Sequence, residues 1–158
     1  MGIKNTYHKS LTSGVPGQLA YDGPWRSQAV VISSETEGNH YAYAYTRAID
    51  GTYVVGGEGL FGGVLVRPLT SAIEPTLTKG AAGELAQMGP IFVPIKVVDA
   101  TAAALGGKVY FNKTTGLLQT TGTGGTEIEG AVISHHQPSA ANSDGVCLAV
   151  ITLNGPLP

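Results

Sequence analysis

The chain has 158 residues, a net charge of −2 and only 13% charged residues, with 23 glycines and a single cysteine. That length suits one domain that buries about two thirds of the surface its unfolded chain would expose, with no need of a disulfide or a metal. The nine Lys and Arg residues are scattered singly and the apolar runs are short, which argues against a nucleic-acid partner and against a membrane span.

Residues 1–26 are polar and rich in turn formers: Gly14, Pro16, Gly17, Gly23 and Pro24. They show neither helical nor strand periodicity and read as an extended arm preceding a β-rich domain over residues 27–158. The opening MGIKNTYHKS has no apolar stretch of the kind a secretory signal carries, so the expectation is a protein made in the cytosol. Its first six residues also fit the short myristoylation pattern M-G-x-x-x-[ST], which often arises by accident. The arm's apolar residues Leu11, Val15, Leu19, Tyr21 and Trp25 are too irregularly spaced for an amphipathic element and too many for a solvated tail. They require a surface to lie on, either this domain's own sheet or a neighbouring subunit.

Strand signals then arrive in quick succession. Residues 28–32 form the first, followed by a polar turn over 33–39. Residues 40–49 alternate, with Tyr41, Tyr43 and Tyr45 on one side and Ala42, Ala44 and Thr46 on the other. Such a tyrosine stripe is either one face of a sheet or a stacking platform for sugars or bases. Asp50-Gly51 supplies a hairpin turn of the preferred two-residue type into residues 52–55, and a strand follows over 60–66. Residues 81–88 are the best helix candidate, short and interrupted by Gly83. Residues 90–98 form a strand in which Pro94 removes a ladder donor and so belongs at an edge or a bulge. A helical turn over 100–105 ends at Gly106-Gly107, residues 108–112 and 117–121 make a hairpin, 120–126 a flexible loop, and 128–134 and 146–153 the last strands. Eight or nine short strands separated by turn clusters predict a mainly β domain, jelly-roll or barrel/sandwich-like, with at most one or two short helical turns.

The chain offers little for catalysis. Residues 56–66, GGEGLFGGVLV, satisfy G-x-G-x-x-G through Gly57, Gly59 and Gly62, but the segment that follows is β-branched and stops at Pro68. A phosphate cradle of the dinucleotide type needs a helix there. His135 and His136 are adjacent, so on a strand they face opposite ways and cannot both chelate one ion without a bend. Glu127 and Glu129 share a strand face and read as a solvated rim pair. No G-x-S-x-G elbow marks a nucleophile. Cys147, in the apolar run 146–151, reads as a small buried hydrophobe, and the sequon at Asn112 sits on a hairpin tip. No catalytic residue, cofactor or metal site is expected.

Four segments in succession carry a resemblance: residues 14–24 (GVPGQLAYDGP), 56–68 (GGEGLFGGVLVRP), 84–89 (ELAQMG) and 104–116 (ALGGKVYFNKTTG). Taken together the chain resembles the structural cement, or head decoration, proteins of tailed bacteriophages. The resemblance implies a small β-rich protein, without catalysis or cofactor, that binds the outer surface of the virion's capsid and clamps neighbouring major capsid protein subunits as a dimer or trimer. The arm is then the candidate contact, through Tyr7, Leu11, Val15, Leu19, Tyr21 and Trp25, with Tyr21 and Trp25 as aromatic anchors. The competing reading is a carbohydrate- or receptor-binding β-module of a phage particle that uses the tyrosine stripe.

Overall fold

The structure is a computed structural model that describes residues 14–20, 24–68, 74–98 and 103–154. Among them are nine strands, β1 (Arg26–Val31), β2 (Ala44–Arg47), β3 (Tyr53–Val55), β4 (Phe61–Leu65), β5 (Ala82–Lys96), β6 (Lys108–Asn112), β7 (Leu118–Gln119), β8 (Gly125–Ile133) and β9 (Val146–Asn154), and one 3-10 turn at Thr36–Gly38. All nine strands belong to one sheet. Pairing is antiparallel except where β5 meets β7. The mainly β, barrel-like architecture expected from the strand signals is the one observed.

The long strand β5 organises the molecule. Its C-terminal half pairs with β9 from Met88↔Asn154 to Lys96↔Val146, and its other edge meets β7 at Ile95↔Leu118. The pairings β7–β6, β6–β8 and β8–β9 then close a ring of strands. The N-terminal half of β5 carries β1 on one edge and β4 on the other. From β4 the sheet runs through β2 to β3, and a bridge between Ile32 and Tyr53 returns it to the end of β1. One sheet therefore curls twice, around two cores.

The closed ring surrounds an aliphatic core that includes Ile91, Val93, Ile95, Phe111, Ile133 and Ile151. The second core is built on Tyr41, Tyr45 and Tyr53 with Ile32, Leu65 and Leu85. Between them lie β2, β4 and the start of β5, buried on both faces: Ala44, Val64 and Ala86 turn to the first core, Tyr45, Leu65 and Leu85 to the second. The period-two alternation of the sequence is thus used twice, small residues filling one side and large ones the other.

The helix expected over residues 81–88 is not formed. Glu84, Leu85, Ala86, Gln87 and Met88 are good helix formers, yet they lie in β5. Leu85 and Ala86 are neighbours buried in different cores, an arrangement that strand geometry provides and one face of a helix does not. A register shift between the Arg26↔Met88 and Ser27↔Ala86 pairs leaves Gln87 as the extra residue of a bulge. The bulge also breaks the alternation that would have marked the strand in the sequence.

The hairpin between β2 and β3 is present, but with a three-residue loop rather than a two-residue one. Ala48 N–H donates to Thr52 O and Gly51 N–H to Ala48 O. Gly51 alone of the loop has positive φ, +85°, as in a type I turn closed by a left-handed glycine. Half of the helical turn expected over 100–105, residues 100–102, lies outside the described residues. Its end is a simple turn, Gly107 N–H donating to Ala104 O.

Candidate functional site

Residues 14–20 of the arm lie along β5. Gly17 N–H donates to Phe92 O at 2.8 Å, Phe92 N–H to Gln18 O at 2.9 Å and Ala20 N–H to Pro90 O at 2.9 Å, around an antiparallel bridge of Leu19 with Ile91. On the other side Arg67 N–H donates to Gly17 O at 2.8 Å. The segment therefore fills the edge of β5 between its contacts with β4 and β7. Alternate residues of a strand send their peptide groups to the same edge, so Pro90, Phe92, Pro94 and Lys96 all face this side. The missing donor of Pro94 faces this edge and not β9, with which Pro94 pairs opposite Leu148.

Of the arm residues singled out in the sequence, Leu19 packs on the aliphatic core. Val15 is 44% exposed and Trp25 49% exposed. Trp25 stands at the entrance to β1 against Gly89, where a Cβ would lie 2.8 Å from that of Trp25. Tyr7, Leu11 and Tyr21 lie outside the described residues, as does the myristoylation pattern. Val15 and Trp25 are thus apolar side chains presented to solvent next to segments hydrogen-bonded into the sheet, Val15 two residues before Gly17 and Trp25 immediately before β1.

A second apolar surface has no precedent in the sequence reading. Ile49, at the tip of the β2–β3 hairpin, is 108% exposed, and Leu60, just before β4, is 82% exposed. Leu60 O accepts from Arg47 N–H at 2.9 Å, and Ile49 and Leu60 both line a cleft of about 530 Å³ together with Arg47, Ala48, Val54 and Glu58. The turn is held by Asp50, whose Oδ1 accepts from Thr52 N–H and Oγ1 at 2.9 and 2.6 Å. These bonds hold the Asp50 carboxyl below its usual range. The only sequence signal was an isoleucine next to a turn.

The other candidates resolve into structure. Gly56 N–H donates to Ala44 O and Gly57 N–H to Lys113 O, so the two amides that open the glycine segment are engaged by carbonyls. Gly62 lies against Tyr53, where a Cβ would be 2.3 Å from the ring. The segment opens β4, as a strand-to-strand passage with close backbone approach. Tyr41 and Tyr45 are buried, which removes them from any stacking platform; burial pushes the Tyr45 hydroxyl far above its usual range, reinforced by Tyr41 and Tyr43. Cys147 is buried in β9 and burial raises its thiol pKa, the opposite of an activated nucleophile. Glu127 is exposed and pairs with Lys108 at 2.9 Å. His135 Nδ1 lies 2.9 Å from Ser134 Oγ. Among the described residues no group of His, Cys, Asp and Glu is placed to hold a metal ion.

A domain of this kind, with its ionisable groups at the rim and its apolar side chains displayed on strand edges and a hairpin tip, belongs to the class of β-rich structural and binding proteins. The family described as structural cement protein (E217 gp24/Pam3 gp6) matches residues 3–154. The chain belongs to that family, which gives it a structural role in the capsid and a place in the phage virion. Among solved structures it is similar to a chain of "The capsid of Myoviridae Phage XM1", with a TM-score of 0.69 and 14% identity, over 98% of each chain. At that identity the likeness is one of fold. No curated protein sequence matches it.

Proposed function

We propose that the protein is a non-enzymatic cement that binds the outer surface of a tailed-phage head and holds neighbouring major capsid protein subunits together. The family match over residues 3–154 carries this reading. The exposed Val15 and Trp25 support its location, because apolar side chains flanking segments already held in the sheet lose little conformational freedom when a partner covers them. Tyr7, Leu11, Leu19 and Tyr21 complete the proposed arm contact. Many copies of a modest interface supply large total avidity on an icosahedral shell.

The test adds purified protein to heads lacking it and examines them by electron microscopy and thermal release of the packaged genome. Removing residues 1–26 would also remove the segment bonded to β5, so the informative variants are deletion of residues 1–13, Val15→Asp and Trp25→Ala. Ordered wild-type copies on the shell and reduced occupancy for the variants are expected. Occupancy on the tail alone would sink the cement reading, and normal occupancy of all three variants would remove the arm from the contact.

A further inference from the structure

We infer that the outer edge of β1 takes an extended segment of a capsid subunit, flanked by acidic residues, as an added strand in the groove between β1 and the β2–β3 hairpin. The inference rests on the cement reading and says how that contact is made. Ile32 N–H donates to Ala81 O, and Ile32 O accepts from Gly80 N–H. Ile32 therefore turns its peptide groups to the β5 side, and so do Val30 and Gln28, which alternate with it. Those of Ser27, Ala29 and Val31 point to the opposite edge, the one on which Ser33 N–H goes on to meet Tyr53 O. Among the described residues β1 pairs with β5 alone, and no main-chain bond reaches Ser27, Ala29 or Val31 from the outer side.

Proteins blunt such edges with Lys, Pro, bulges or very short strands. β1 uses none of these: it is six residues long, RSQAVV, and the bulge of its ladder lies in β5 at Gln87. Val31 is 49% exposed, and Ala29, on the same face, is exposed too. A row of alternating free N–H and C=O groups beside small apolar side chains is matched by another extended backbone, which bonds to the row and lays its own alternate side chains on that face.

Charge and position identify the occupant. A groove of about 490 Å³ separates β1, at residues 28–31, from the hairpin at Arg47 and residues 50–53. Arg26 stands at the start of the edge, and Arg47 lies across the groove, its Nη2 3.9 Å from an ideal Cβ at Gly51. Both are exposed, and neither has a salt bridge among the described residues. The nearby carboxylates are engaged by hydroxyls, Asp50 by Thr52 and Glu84 by Ser27. Two guanidinium groups at the rim thus favour a strand with Asp or Glu at its flanks. Trp25 immediately precedes β1, so the edge continues the proposed arm contact, and the capsid subunit that covers Trp25 supplies the strand.

The test follows hydrogen exchange by mass spectrometry in peptides spanning residues 26–33, for the full chain free and bound to heads lacking their own cement. Exchange at Ser27, Ala29 and Val31 is expected to be fast in the free protein and slower by about tenfold or more on heads. Ala29→Pro removes an edge-facing donor and leaves the β5 bonds in place. It and Val31→Lys should each weaken head binding by about tenfold while the proteins stay folded in thermal melts. Arg47→Glu should weaken it as well, and rising salt should weaken the wild type. Heads fully occupied with unchanged exchange at the three amides, or equal binding by Val31→Lys and wild type, would overturn the inference and leave the cement reading standing. Normal binding by Arg47→Glu would overturn the acidic character of the strand. Protection that grows with protein concentration in the absence of heads would overturn the capsid as occupant in favour of a second copy. A wild type that never occupies heads would sink both readings.

Discussion

The two cores are built on different principles although one sheet surrounds both. The aliphatic core sits in a ring in which each strand is paired with both of its neighbours, above all through the long β5–β9 ladder. The tyrosine core sits in a ring whose closure is a single bridge, Ile32 to Tyr53, supported by Ser33 N–H donating to Tyr53 O at 2.8 Å. Large side chains accompany that thin closure: Tyr41, Tyr45 and Tyr53 fill the space inside the second ring. A closed ladder needs many residues in register, while large aromatic side chains fill a volume with few. The arm segment over residues 14–20 joins the two, since it bonds to β5 on one side and to Arg67 at the end of β4 on the other.

The largest effect is expected at the closed ring. Phe111 is fully buried there and packs near Phe61, with ring centroids 6.0 Å apart. Phe111→Ala should cost about 3–5 kcal/mol in urea unfolding, and a cost under 1 kcal/mol would mean the ring collapses around the gap. Next comes the wall between the cores. Gly63 has φ +143° and a Cβ there would lie 2.6 Å from Ala86 O, so Gly63→Ala should lose about 1–3 kcal/mol, seen as a lower denaturation midpoint. A neutral result would show that β4 can move away from β5.

Smaller effects separate the rings more finely. Native-state hydrogen exchange should find the β5–β9 amides opening only with global unfolding, and the amides of Ser33 and β3 opening more easily. Equal protection in both would erase the contrast drawn from the ladders. The tyrosine core also has its own pH signature. Tyr45 keeps its proton when folded far above the value of about 10 at which it ionises unfolded. Its contribution is whole below pH ~10 and declines as pH rises further, because only the unfolded state releases the proton. Tyr45→Phe, which gives up one long hydrogen bond of 3.4 Å to His40 O, should change stability at neutral pH by less than about 1.5 kcal/mol. It should flatten the decline above pH ~10 in thermal melts, and an identical alkaline decline would assign the effect to other tyrosines.

The edges of this fold were more legible in the sequence than its centre. Strands flanked by Gly, Asp and Pro turns, such as residues 108–112 and 146–153, were read nearly to their ends because local turn chemistry marks them. Residues 81–88 read as a helix in the sequence because the signal that makes them a strand is not local. Leu85 and Ala86 serve two cores assembled from distant segments, and the bulge at Gln87 hides the alternation. Among surface residues, Val15 and Trp25 stood out against a polar arm. Ile49 did not, since an isoleucine beside a hairpin turn looks like the end of a buried strand until the fold shows which way the turn faces.

By itself the sequence determined the β class, the buried nature of Cys147, the passage of the glycine segment into a strand and the cement family, because these follow from composition, local backbone preference and the order of segments. Tertiary structure decided that Tyr41, Tyr45 and Tyr53 face inward, that β5 runs through two rings, and that the exposed Ile49 and Leu60 line one cleft. Those facts depend on which distant strands pair, and pairing is settled by the burial of both faces of the sheet at once.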